Sequence, residues 1–175
     1  TLEIKGFESK DKIYFNNINY KKNKNIIDIN NLEINKNKIL DIEQVKFNYL
    51  TNNNFKNEII LVKKDDYYEL KGSSFDSTNV IKNISNSDND NNLFEILDNF
   101  NSKIKFAIDE VKLDDESTVN NLNGNLEIKN SKLFDLNLNS NFSDKEKLFV
   151  SIKSQNTSSS VTTFYSDRAK PFVKK

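Results

Sequence analysis

The chain has 175 residues, and 26 Lys plus Arg balance 26 Asp plus Glu, so its formal net charge is zero. Balanced, interspersed charge carries no electrostatic footprint for nucleic acid. With neither Cys nor His, disulfides, thiolate metal sites and the usual zinc, nucleophilic and acid–base constellations cannot be assembled.

Thr1 to Phe7 alternates from its first residues, with Leu2 and Ile4 facing one way. The chain opens on Thr rather than Met and already alternates, so it is expected to be an excerpt of a longer protein. Asp11 to Tyr20 reads as the next strand, with Ile13 and Phe15 on one face. Asn25 to Ile34 carries Ile27 and Ile29 and then changes phase to Leu32 and Ile34, which predicts a bulge or tight turn near Asn30-Asn31. Ile39 to Tyr49 aligns Val45, Phe47 and Tyr49. Glu58 to Val62 and Tyr67 to Leu70 form a hairpin across Lys63 to Asp66.

The alternation stops at Phe75. Asp76 or Ser77 caps a helix of about two turns reaching Ile84. The polar run 85–92 reads as a flexible loop, and Leu93, Ile96, Leu97 and Phe100 form one apolar helical stripe after it. Ile104, Phe106 and Ile108 resume the strand pattern and shift phase to Val111 and Leu113.

The stretch Ser117 to Ile152 is the clearest in the chain. Leu122, Leu126 and Ile128, then Phe134, Leu136, Leu138 and Phe142, then Leu148, Val150 and Ile152 recur at every second position. A period of two marks a strand with one apolar and one wet face. The clusters Lys129 to Lys132 and Ser143 to Glu146 are hairpin turns, giving a three-strand antiparallel meander. Val161 to Tyr165 is the last strand, and Ser166 or Asp167 caps a short closing helix limited by Pro171. One echo crosses the chain: Leu32-Glu33-Ile34 with Ile39, Asp41 and Ile42 matches Leu126-Glu127-Ile128 with Leu133, Asp135 and Leu136 at a constant offset.

Chemistry-bearing signals are sparse. The acidic residues fall on wet strand faces or turns, where they are solvated rather than paired for acid–base work. Asp88-Asn89-Asp90-Asn91-Asn92 starts like a calcium loop, but Leu93 stands where Gly is needed and Asn99 where Glu is needed. Three Gly are too few for a phosphate cradle, and Gly124 lies inside a strand, where it marks a bulge or close backbone approach. The abundant Asn and Lys fit AT-rich coding, so sequons such as Asn141-Phe142-Ser143 arise by chance. No metal, no cofactor and no enzymatic activity are expected. Hydrophobic residues are only 35% of the chain, yet 11% aromatics leave enough bulk for a single folded unit over 1–175.

Three pieces in order carry a resemblance: Gly72-Ser73-Ser74-Phe75-Asp76-Ser77 entering a helix, Leu122-Asn123-Gly124-Asn125-Leu126 opening paired amphipathic strands, and Thr163-Phe164-Tyr165-Ser166-Asp167-Arg168-Ala169 at a strand-to-helix corner. From about Asp11 onward the sequence resembles the AsmA-like envelope proteins of Gram-negative bacteria, especially the C-terminal portion of the YhdP-type members. Arg168 and Lys170 depart from that family's last corner, where Asp and Gly stand. The resemblance implies a mainly β fold, an elongated, curved antiparallel sheet of amphipathic strands with two or three short helices. It implies a periplasmic protein, held to the inner membrane by a segment outside this chain, whose groove conducts phospholipid between the inner and outer membranes. Leu126, Ile128, Leu136, Leu138, Val150 and Ile152 would line that groove, with acyl chains and neighbouring β-repeats of the same protein as partners. The alternative is a structural or adhesive β-domain whose apolar face is a closed core without lipid.

Overall fold

The computed structural model describes residues 1–36, 38–51, 53–79, 101–129, 132–155, 159–170 and 172. Eleven strands follow one another in chain order and in space: β1 (Leu2–Ser9), β2 (Lys12–Lys22), β3 (Asn25–Asn35), β4 (Lys38–Leu50), β5 (Lys56–Lys63), β6 (Tyr68–Asp76), β7 (Ser102–Lys112), β8 (Thr118–Lys129), β9 (Lys132–Asn141), β10 (Lys147–Ser154) and β11 (Ser160–Ser166). Among the described residues these eleven make a single open sheet in which each strand pairs with its neighbours in sequence. Short turns drive this order. Lys10, Asn23, Lys36 and Asn54 take positive φ in the first four connections, three of which link their strands in register across very few residues. Asn enters the left-handed region more readily than most side chains.

The sheet departs from the expected all-antiparallel form at one place. β6 and β7 run parallel, with Tyr68 opposite Ile104 and Leu70 opposite Phe106. Parallel neighbours need a long crossover rather than a hairpin, and here the chain takes 77–101 to return to the starting end. Most of that crossover, including the expected helix at 93–100 and the loop at 85–92, lies outside the described residues. Only Thr78 and Asn79 are helical among the described residues. The closing helix expected after Ser166 does not form over 167–170. The Ser166 hydroxyl accepts from Arg168 N at 3.2 Å and donates to Arg168 O at 2.6 Å, a local turn that competes with helix initiation.

β6 is longer than its alternation suggested. It continues through Gly72, Ser73 and Ser74 to Asp76 because it lies between β5 and β7, where ladder bonds on both edges outweigh weak strand propensity. Its end is fixed by Asn57, which is fully buried and accepts Asp76 N at 2.7 Å, and by Ser77, which donates to Lys112 O at 2.8 Å.

The core sits on one face in two clusters. One gathers Ile108, Val111, Leu113, Val119, Phe142 and Leu148 from β7 to β10 and the adjoining turns. The other gathers Leu32, Ile42, Val45 and Tyr68 from β3, β4 and β6, with Phe15, Ile18, Ile29 and Ile104 against it.

Candidate apolar binding face

The registers place one residue of each strand in a single line across the sheet: Ile4, Ile18, Ile29, Val45, Leu61, Leu70, Phe106, Gly124, Leu138, Val150 and Phe164. Directly paired residues share a face, so ten apolar side chains and one glycine form an unbroken row. Ten inter-strand spacings of ~4.8 Å make it ~48 Å long. The neighbouring row, on the opposite face, reads Lys5, Asn17, Asn30, Gln44, Val62, Glu69, Lys105, Asn125, Asn137, Ser151 and Thr163, polar at all but one strand.

The face stays apolar over its length because neighbouring strands change phase together. Phe15 and Ile18 in β2 pair with Leu32 and Ile29 in β3, which pair with Ile42 and Val45 in β4. All six belong to one cluster although each pair is three residues apart. Strict alternation would have turned one of each pair outward. Asn31 takes the extra residue at φ 48°, in the left-handed region. The same device recurs where Ile108 and Val111 of β7 meet Leu122 and Val119 of β8, beside Asn121 at φ 55°.

The internal echo has a structural counterpart. In β3–β4, Leu32 faces Ile42, Glu33 faces Asp41 and, past a bulge, Ile34 faces Ile39. In β8–β9, Leu126 faces Leu136, Glu127 faces Asp135 and, past a bulge, Ile128 faces Leu133. Pairing and bulge position coincide residue by residue, so the two hairpins share one geometry.

Of the six residues expected to line a groove, Leu126, Leu136 and Ile152 are mutually in register, as are Leu138 and Val150 with Gly124 between them and Phe106. These five are half-buried. Ile128 is 2% exposed and sits within the packed interior. Reasoning on the meander alone missed that the same row runs on through Ile18, Ile29, Val45, Leu61 and Leu70. The signal for it was the repeated three-residue spacing in β2, β3 and β4.

Gly124 is the one gap in the row, and its need for glycine is steric. A Cβ there would lie 1.9 Å from Asn137 O and 2.9 Å from Phe106 Cζ. The Phe106 ring therefore covers the bare backbone from the opposite strand, a pairing that recovers apolar area a glycine lacks.

Polar groups gather at one end of the sheet. Tyr68 spans β5 to donate from its hydroxyl to Asp41 Oδ1 at 3.1 Å, and Lys63 Nζ contacts Asp41 Oδ2 at 2.6 Å. Burial works against ionisation of Asp41, but the hydrogen bonds from Lys63, Ile42 N and Tyr68 prevail and hold its carboxyl below the ordinary range. Burial, reinforced by the Asp41 charge, pushes the Tyr68 hydroxyl up to about 12. Lys12, Glu33, Asp41, Lys63, Asp66 and Tyr67 surround a polar cleft of about 630 Å³ there. At the opposite end the C-terminal segment folds back over the apolar face. Arg168 pairs with Glu146 at 2.5 Å, Lys170 with Glu116, and Phe172 stacks edge-on to Phe164 at 4.9 Å while packing on the buried cluster around Val111.

The polar face carries its own hydrogen-bonded ladder. Asn17 Nδ2 donates to Asp28 at 2.9 Å and Asn30 at 2.8 Å, and Asn30 Nδ2 donates to Gln44 at 3.0 Å. A shallow cleft of about 790 Å³ opens on this face between Lys103, Lys105, Asn125, Glu127, Asp135 and Asn137. Among the described residues, no group of three or more Asp or Glu is placed to hold a metal ion.

No protein-family model, no curated protein and no solved structure matches the chain.

Proposed function

We propose that this sheet is a segment of a non-enzymatic, lipid-binding β-groove, elongated and curved around its apolar face, that takes phospholipid acyl chains between membranes. One observation carries the reading: an apolar row crosses all eleven strands, backed by a polar row on the other side. Half-buried Leu126, Leu136, Leu138, Val150 and Ile152 provide its contact surface. An acyl chain laid along it gains ~0.8 kcal/mol per CH2 removed from water, with no need for a directed polar group. The resemblance to AsmA-like proteins supports a periplasmic setting, with phospholipid as the ligand class and neighbouring β-repeats extending the sheet. The recurring hairpin geometry is consistent with a fold that grows by repetition.

A second reading is favoured by one specific observation. Val119 and Ile128 are at 0% and 2% exposure, as in a closed core. On that reading the apolar face is structural and takes no ligand. Titration with a fluorescent fatty acid separates the two. The groove predicts saturable binding that a Leu138→Asp and Val150→Asp double variant loses while its far-ultraviolet circular dichroism is unchanged. A closed core predicts no binding to the unaltered chain.

A further inference from the structure

β11 is bonded to β10 through seven register pairs, Leu148↔Ser166 to Ser154↔Ser160, and among the described residues no further strand lies beyond it. An edge strand presents a row of unsatisfied backbone donors and acceptors, and proteins normally guard such edges with charge, proline or a bulge. β1, the other edge, is guarded in this way: it carries Glu3, Lys5 and Glu8 and a bulge between Lys5 and Gly6. β11 is not. Its sequence, Ser160-Val161-Thr162-Thr163-Phe164-Tyr165-Ser166, holds no charge, proline, glycine or bulge. Val161, Phe164 and Tyr165 are 48%, 49% and 52% exposed.

We infer that β11 pairs antiparallel with β11 of a second copy of this chain, about a two-fold axis through Thr163. The strand is complementary to its own reverse. With Thr163 on the axis, Ser160 faces Ser166, Val161 faces Tyr165, Thr162 faces Phe164 and Thr163 faces itself. Each pair belongs to a class that stabilises antiparallel sheets: hydroxyl with hydroxyl, or β-branched with aromatic. A one-residue slip would set the apolar face of one copy against the polar face of the other. A two-residue slip would set Asp167 against Val161, or Tyr165 against Ser159.

The described residues leave room for the partner strand. The C-terminal segment turns inward, with Lys170 reaching Glu116 in the β7–β8 turn and Phe172 on the buried cluster, away from the outer edge. The product is a closed, isologous dimer in which one sheet of twice eleven strands keeps its apolar row on one side. The pairing does not depend on a ligand, and it leaves the β1 edge as the one from which neighbouring β-repeats would extend the sheet.

Sedimentation equilibrium of the lipid-free chain tests it, with circular dichroism as the check on folding. The expected mass is twice that of one chain. Thr163→Asp and Thr163→Lys each place like charges opposite one another at the axis, and each is expected to sediment as a folded monomer. Mixing the two variants is expected to restore the dimer, because the axis then pairs opposite charges. A monomeric unaltered chain would overturn the inference. So would a Thr163→Asp variant that stays dimeric, a ladder of growing oligomers, or a mixture that stays monomeric.

Discussion

Gly→Ala within a strand ordinarily stabilises a protein, by about 0.5–1 kcal/mol, because glycine loses more backbone freedom on folding. Gly124→Ala is expected to do the opposite. The added methyl would lie 1.9 Å from Asn137 O, 2.9 Å from Asn137 C and 2.9 Å from Phe106 Cζ. The Phe106 ring can rotate, but the β9 backbone is tied to both β8 and β10 and cannot retreat without breaking ladder bonds. Overpacking of this kind costs roughly 1–3 kcal/mol, and more where backbone must move. We expect a net loss of about 1–2 kcal/mol, read as a lower urea midpoint at unchanged slope in circular dichroism. Gly6→Ala is the control, because its Cβ meets Tyr14 O at 2.3 Å but β1 is exposed throughout and can shift away at the edge. A Gly124→Ala chain as stable as the unaltered one, or more so, would refute the reasoning.

Alkali should weaken the fold through Tyr68. An unfolded tyrosine loses its proton near 10.0, whereas folded Tyr68 keeps it to about 12. The unfolded state then binds fewer protons, so the stabilisation is complete below pH 10 and is lost as pH rises toward 12. A difference of that size is worth on the order of 2–3 kcal/mol. Tyr68→Phe should flatten the pH dependence of the urea midpoint across this range, and an unchanged dependence would contradict the Asp41–Tyr68 arrangement. Val119→Ala, at a site with 0% exposure, should cost roughly 1.5–3 kcal/mol. Leu2→Ala, at 60% exposure on β1, should stay within about 0.5 kcal/mol. Equal effects at the two positions in the same urea assay would contradict the placement of the core.

Most strands were legible because a period of two survives in Phe134 to Leu138 and Leu148 to Ile152 whatever surrounds them. The phase changes at Asn31 and between Ile108 and Val111 were also visible, since the apolar residues had moved by one position. What they achieve was not legible. Only the registers show that a phase change in one strand is answered in its neighbours, which keeps the face continuous. The parallel β6–β7 pair was hidden too, because alternation is blind to strand direction. The C-terminal corner misled for a local reason: Ser166 and Asp167 look like helix caps, yet Ser166 bonds to Arg168 and Asp167 Oδ2 accepts Lys147 N at 2.7 Å. The candidate site was half legible. The meander residues stood out, and the strands of β2 to β6 were read as well, but that their apolar residues continue the same row depends on registers that alternation does not give. Ile128, similar in sequence context to Ile152, is buried at the bulged end of β8, a difference that alternation alone does not show.

The central claim is that the apolar row takes acyl chains. Native mass spectrometry of the chain purified from a bacterial envelope, beside a Leu136→Asp and Leu138→Asp double variant, tests it most directly. The account predicts co-purified phospholipid on the unaltered chain and a folded, lipid-free double variant. A lipid-free unaltered chain whose double variant unfolds would contradict it and identify the row as a closed core.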